Sequence, residues 1–377
     1  MAERAARPAA DRPNLLRVMP AKGMNSTSAS GFDVAVIGGG VIGLSVAWRA
    51  RARGLNVVVL DRGELGGGTT RVAAGMLAPA SEADAQERSL LALGLESARM
   101  WGAFAGELRD VTGLDVGLRT QGTMAVARDG DEKAALEREL DLRDRLGLRA
   151  QRLLPSAARA LEPALAPSIR LAVDFPDDHS ADPRALAAAL VAACERVGVT
   201  LRPGTEVRSL ADVDAEQVVV AAGPWSAGLA PLPVRPVKGQ TIRLRGAELL
   251  QRTVRFDGGY LVPRADGRIV LGATEEERGF DTAMTALAVH DLLRDAAELV
   301  PGILELEIEE LVAGLRPGTP DNAPLIGRLD DRVVVATGHH RNGILLAPVT
   351  ARLVAAELAG APEEHAFSPH RFERAAV

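Results

Sequence analysis

The 377-residue sequence predicts an α/β fold in which a Rossmann-like lobe carries an inserted antiparallel-sheet lobe. Three observations predict it. Phe32 to Leu44 reads FDVAVIGGGVIGL, a short apolar strand running into a glycine-rich turn. Apolar runs of the kind buried in parallel sheets recur at Val57 to Leu60, Gln217 to Gly223 and Val333 to Ala336. From Pro231 to Gly272 the pattern changes to short strands broken by Gly258-Gly259 and Asp266-Gly267, which marks an antiparallel sheet.

Taken in order, residues 1–30 are rich in Ala, Arg, Pro and Ser without apolar periodicity. They read as a disordered tail with no signal-peptide h-region, and Met19 and Met24 are alternative starts. Val34 to Ile37 is the first strand, Val41 to Arg53 a helix closed by Gly54, and Val57 to Leu60 the second strand. Glu64 to Pro79, rich in Gly and Ala, is a functional loop or short helix. Leu90 to Leu108 is an amphipathic helix, Gly122 to Arg128 a strand, and Asp131 to Leu146 a solvent-facing helix with i,i+4 charge pairs. Asp182 caps the helix Arg184 to Val197, with Pro183 at its first position. Asp291 to Leu299 is helical and Ala347 to Leu358 is the closing helix. One lobe then takes residues 31–115, 170–230 and 305–362, the other 116–169 and 231–304, and 363–377 is a C-terminal tail.

Composition narrows the function. A net charge of −6 without a basic stripe argues against nucleic acid as a partner. No apolar run approaches the ~20 residues of a membrane span. The single cysteine, Cys194, cannot form an internal disulfide and fits a reducing cytoplasm. No metal-ligand pattern is present.

Gly38, Gly40 and Gly43 form GxGxxG between a strand and a helix. The first permits the tight turn, the second lets backbone approach a pyrophosphate, and the third packs helix on strand. Val41 and Ile42 lie at the helix N-terminus, whose free amides and partial positive charge favour phosphate. Asp61 ends the second strand about 20 residues on, where an acid bonds a ribose hydroxyl. Arg62 beside it either accepts a 2′-phosphate or is a solvated surface residue. Two features favour FAD over NAD. ELGGGTTRVAAGML (Glu64 to Leu77) replaces the helix and strand that would continue a simple NAD domain, and there is no second fingerprint for a reducing nucleotide. A reduced flavin would then be reoxidised by oxygen or another acceptor.

Five stretches carry a family resemblance: AAGMLAP (Ala73 to Pro79), YLVPR (Tyr260 to Arg264), GAT (Gly272 to Thr274), AGLRPGTPD (Ala313 to Asp321) and GHHRNGILLAP (Gly338 to Pro348). From Gly31 to about Leu358 the chain resembles the D-amino-acid-oxidase superfamily of FAD amine oxidases, of D-amino-acid-oxidase / glutathione-reductase-2 type. Within it the chain is most similar to the glycine oxidases of thiamine biosynthesis. The resemblance implies oxidation of glycine, with sarcosine or small D-amino acids as side substrates, by hydride transfer to non-covalent FAD. Oxygen would be reduced to hydrogen peroxide, and the imine would supply the thiamine thiazole. It also implies a cytoplasmic homo-oligomer, a homotetramer in the family, with a functional link to thiazole synthase. The alternatives are a D-amino acid dehydrogenase, a sarcosine or proline oxidase, or a non-catalytic FAD-binding subunit.

Carried over by position, Arg316 would pair with the substrate carboxylate, Tyr260 would donate to the same group, and Arg341 would lie near the substrate. Gly38, Gly40, Val41, Ile42, Gly43, Asp61 and Arg62 would hold the nucleotide, with Val207 on the adenine side, and Gly223 would also bind the cofactor. Thr69, Thr70, Ala73, Ala74, Gly75 and Met76 would run along the isoalloxazine and ribityl chain. His339, His340, Arg341, Asn342, Gly343, Ile344 and Leu345 would line the flavin. No catalytic acid or base is expected, because hydride transfer from a neutral amine asks for binding and orientation. Plainer readings stand beside these: Arg316 capping the turn at Pro317-Gly318, Tyr260 in the core, Arg341 on the surface, and His339 and His340, which invite a general-base reading, in local packing.

Three positions depart from the family. His340 stands where relatives more often have Phe, Gly258 where a bulkier residue is usual, and Glu275 where an apolar one is. Glu275 either changes how the amine end is held or faces solvent with Glu276 and Glu277. Some sarcosine oxidases attach flavin to a cysteine near the C-terminal end, but Cys194 lies in an Ala-rich helix and reads as a buried thiol.

Overall fold

The structure, a computed structural model, describes residues 31–375. The tail expected at residues 1–30 lies outside the described residues. One sheet has six strands in the order Leu325–Arg328, Val333–Thr337, Gln217–Val220, Val34–Ile37, Val57–Leu60, Thr200–Arg202. All neighbours pair in parallel except Leu325–Arg328, which is antiparallel to Val333–Thr337. The Val-rich central strands are buried along their whole length, as a sheet covered on both faces requires. Helices Val41–Ala52, Arg88–Thr112, Pro183–Arg196 and Gly343–Leu358 share one core against a single face. Leu210, Val213 and Ala215 cover the other.

The second sheet has eight strands, ordered Glu307–Gly318, Arg235–Arg245, Arg268–Gly272, Gly259–Pro263, Thr253–Phe256, Thr123–Ala127, Leu171–Phe175, Gln151–Leu153. Its pairs are antiparallel except Thr253–Phe256 with Thr123–Ala127. Helix Ala286–Leu299 packs its apolar face here, and Thr285 caps it through a bond from Ala288 N.

Pairing corrects the expected boundaries in three places. Leu171–Phe175 and Glu307–Gly318 belong to the antiparallel sheet, not with residues 170–230 and 305–362 in the first lobe. The second of these is an edge strand that opens EIEELV with both faces half in water, so its apolar signal is diluted. Residues 363–375 are not a free tail. Phe367 is buried, its carbonyl accepts from Ile326 N, and Arg371 pairs with Asp321. The closing helix also begins at Gly343 rather than Ala347 and runs through Pro348. Nearly complete burial of this helix outweighs the backbone hydrogen bond that proline forgoes.

The N-terminus of the 183–196 helix follows the expectation: the Asp182 carboxylate accepts from Arg184 N and Ala185 N. No helix among the described residues is long and apolar enough to cross a membrane.

Candidate active site

A cavity of about 950 Å³ opens where the first sheet changes direction, at the carboxyl ends of Val34–Ile37 and Gln217–Val220. Open α/β sheets bind ligands at this point. The cavity continues from there across the face of the second sheet.

At the nucleotide end Gly38 has φ +109, and a Cβ there would overlap the carbonyl oxygen of Ala221. The Val41 helix has no side-chain cap and no acid in its first turn, and Val41 N donates to Thr70 Oγ1 at 3.0 Å. Asp61 lines the cavity and pins the turn, accepting from Gly39 N at 2.7 Å and Gly63 N at 2.8 Å. Arg62 lies 4.0 Å over the ring of Trp225, which in turn stacks on Phe280. A helix N-terminus whose N-cap is a glycine, behind a glycine turn and with an acid after the next strand, fits a dinucleotide and its pyrophosphate.

Residues 73–76, expected beside the isoalloxazine, follow the short helix Gly68–Val72 along the cavity wall. The second sheet holds this segment from below. Arg243 donates to the carbonyls of Arg71 and Val72, Arg264 to that of Ala74, and Thr69 Oγ1 to that of Leu315.

Strand register assembles the substrate end. Arg316 lies opposite Val237, Gly314 opposite Gly239, and both Thr241 and Tyr260 opposite Gly272. Side chains alternate along a strand, so Arg316, Gly239, Thr241, Gly272 and Tyr260 share one face and line the cavity or abut groups that do. A Cβ at Gly239 would sit 2.6 Å from Arg316 Nη1, and one at Gly272 would sit 3.0 Å from the Tyr260 hydroxyl. The two glycines therefore make room for the guanidinium and the phenol. Arg316 Nη1 donates to Thr274 O at 3.0 Å, which orients the fork. Burial pushes the Tyr260 hydroxyl above its ordinary pKa despite Arg316 nearby, so it stays a neutral donor. Gly239→Ala is expected to displace the guanidinium and raise KM for a carboxylate substrate on the order of tenfold, with flavin content unchanged. Steady-state kinetics beside the visible spectrum would check this.

Residues 33–357 match the family described as FAD dependent oxidoreductase (DAO). The chain belongs to this family of FAD-dependent oxidoreductases. Glycine oxidase of Geobacillus kaustophilus is 37% identical over 347 residues, covering 86% of this chain and 92% of its own. The bifunctional protein ThiO/ThiG of Trichormus variabilis is 35% identical over 344 residues, and the chain spans about half, 52%, of that longer protein. The crystal structure of the Geobacillus kaustophilus glycine oxidase superposes with a TM-score of 0.85 at 36% identity, covering 90% of this chain and 98% of that one.

In this oxidoreductase the cavity gathers most of the residues singled out from sequence, including Gly223, Val207, Gly343 and Ile344. Three stand elsewhere. Gly43 faces the strand turn, where a Cβ would overlap Gly38 O, so it packs the helix and does not line the cavity. Leu345 is buried, and its carbonyl accepts from Ser97 Oγ and Trp101 Nε1. Asn342 lines a smaller crevice near Glu87. The helix starting at Gly343 rotates successive residues away from the cavity, so Leu345 turns inward to the core. Trp225, Gly239 and Thr241 also line the cavity and carry no motif that marks them. For the last two, the two-residue spacing within a predicted strand was the available signal.

Arg341 lines the cavity as an exposed residue, with Glu82 and Glu87 each 3.4 Å away. His339 is buried with Nε2 3.0 Å from Thr350 Oγ1, and burial pushes its pKa down to about 3. It holds the turn onto the helix, as the packing reading expects. The unfolded chain binds a proton at His339 below its ordinary pKa of 6.5, whereas the native chain resists doing so down to about 3. This contribution is therefore complete above 6.5 and is lost as pH falls, at about 1.4 kcal/mol per pH unit. His339→Gln is expected to flatten the fall in urea-unfolding stability between about pH 6 and about pH 4 by one proton's worth.

Cys194 is fully buried with Sγ 3.4 Å from Leu44 O, and burial pushes its thiol up to about 12. A thiol reagent is expected to leave the native protein unmodified and to titrate one thiol after unfolding. Rapid labelling of the native form would contradict this.

Proposed function

We propose that the protein is a glycine oxidase supplying the imine used for the thiamine thiazole, with sarcosine and small D-amino acids as secondary substrates. The observation carrying this reading is the convergence of Arg316 and Tyr260 over Gly239 and Gly272, in the part of the cavity beside residues 73–76. In it, Arg316 binds the substrate carboxylate with two of its donors, Tyr260 donates to the same group, and Arg341 lies near the substrate. Holding the carboxylate fixes the α-carbon against the wall formed by residues 73–76, and this orientation is the protein's main contribution to rate. Bound FAD supplies the two-electron acceptor: glycine loses a hydride and a proton to give the imine, and O2 takes the electrons as hydrogen peroxide. The flavin is held non-covalently, in keeping with a cysteine buried in the 183–196 helix.

The reading carries with it a cytoplasmic homo-oligomer, in the family a homotetramer, and a functional partnership with a thiazole synthase. The relatedness to bifunctional ThiO/ThiG proteins supports the partnership. The test is peroxide formation in air with glycine, sarcosine, D-alanine and D-proline. Peroxide with glycine preferred is the expected result. Bleaching of the flavin without air, but no peroxide in air, would replace the oxidase with a dehydrogenase. Failure of all four to bleach the flavin would leave a non-catalytic FAD-binding subunit.

A further inference from the structure

His340 is the cavity-lining group whose chemistry the carboxylate clamp leaves unused. Its side chain is 2% exposed, its backbone has φ +47, and neither Nδ1 nor Nε2 has a hydrogen-bond partner. Buried polar atoms left unpaired are costly, so an orphaned imidazole on a cavity wall points to a ligand atom.

Its surroundings select the kind of atom. Glu275 Oε1 stands 4.0 Å from Nε2, also on the cavity wall. The preceding residue, Thr274, is the one whose carbonyl holds the Arg316 guanidinium, so the two groups sit beside the clamp. Burial, then Arg341 and Arg316, push the imidazole pKa down to about 3, so the ring is neutral and offers a lone pair. A carboxylate beside that lone pair repels an anion and favours a cationic donor. An amine nitrogen ~2.9 Å from both atoms completes a triangle over the 4.0 Å gap without moving either side chain.

We propose that His340 and Glu275 form the amine-reading end of the substrate pocket, the imidazole accepting a hydrogen bond from the amine of an α-amino acid whose carboxylate is held at Arg316 and Tyr260. This rests on the amine-oxidase reading above. His340 is thus a binding residue that separates amino acids from carboxylates lacking the amine, and Glu275 supplies the countercharge. No proton transfer is required of either.

The test compares two ligands on the holoenzyme. Acetate, which carries only the carboxylate, is titrated by the change in flavin absorbance, and glycine is followed by its KM and by anaerobic bleaching. In His340→Phe, acetate binding should stay within about twofold of wild type while the KM for glycine rises on the order of tenfold to a hundredfold. His340→Gln should recover part of that loss, because it restores an acceptor, whereas a purely structural role would not be rescued in this ligand-specific way. Glu275→Gln, at an exposed carboxylate, should shift glycine and not acetate, and it carries the test if His340→Phe does not fold. Equal weakening of both ligands, or no change in either, overturns the inference. A wild-type enzyme that oxidises no small amino acid overturns the functional reading instead, and normal wild-type turnover with insensitive variants overturns this proposal alone.

Discussion

Arg316→Ala is expected to lower kcat/KM for glycine by about a thousandfold while the purified protein stays yellow. Truncating one partner of a buried, hydrogen-bonded charge pair typically costs about 2–5 kcal/mol, and each 1.36 kcal/mol is about tenfold in rate. The loss should be specific to the carboxylate. The guanidinium's own bonds are to Thr274 O and Lys238 O within the second sheet, away from the glycine turn at the nucleotide end. Arg316→Lys should fall between wild type and alanine, since it keeps the charge but not the planar fork. Near-normal affinity for glycine in the alanine variant would return Arg316 to a turn-capping role beside Pro317.

Gly38→Ala is the second large effect, and it should yield protein that purifies without flavin. Two costs combine at this position. At φ +109 an L-residue is strained by about 1–2 kcal/mol, and a Cβ would collide with the backbone carbonyl of Ala221, which no side-chain rotation relieves. To accommodate the methyl, the strand ends of Val34–Ile37 and Gln217–Val220 must part, and the cavity opens at that point. Gly54 provides the control. Its φ is +91 but nothing lies within 4 Å of a Cβ, so Gly54→Ala should carry the strain alone, with a modest loss of thermal stability and full flavin content. Equal flavin content in both variants would show that crowding at Ala221 is not what makes Gly38 necessary.

The nucleotide end was legible in the sequence because its determinants are local. Gly38, Gly40, Gly43 and Asp61 fall within one strand–helix–strand unit, and their spacing reports directly on a turn and a helix N-terminus. The Asp182 cap and Pro183 were readable for the same reason: four consecutive residues, Asp182 to Ala185, set the geometry. Arg62 was ambiguous on sequence, since whether it meets solvent or a ring depends on Trp225, far along the chain. His340 was expected to line the flavin or to pack locally, and no local pattern could reveal that both its ring nitrogens are left without partners inside a cavity.

By itself the sequence determined the two kinds of sheet and the nucleotide turn, because periodicity and glycine spacing act over a few residues, whereas the candidate carboxylate-binding pair was named only through the family resemblance of YLVPR and AGLRPGTPD. Only the tertiary structure decided that Glu307–Gly318 joins Arg235–Arg245, that Gly239 and Gly272 clear space for Arg316 and Tyr260, and that His340 faces Glu275. The physical reason is register. Arg316 reaches the carbonyl of Lys238 across 78 residues of chain, and which residues of two such distant strands come to share a face is set by the packing of whole sheets, not by the composition of either strand.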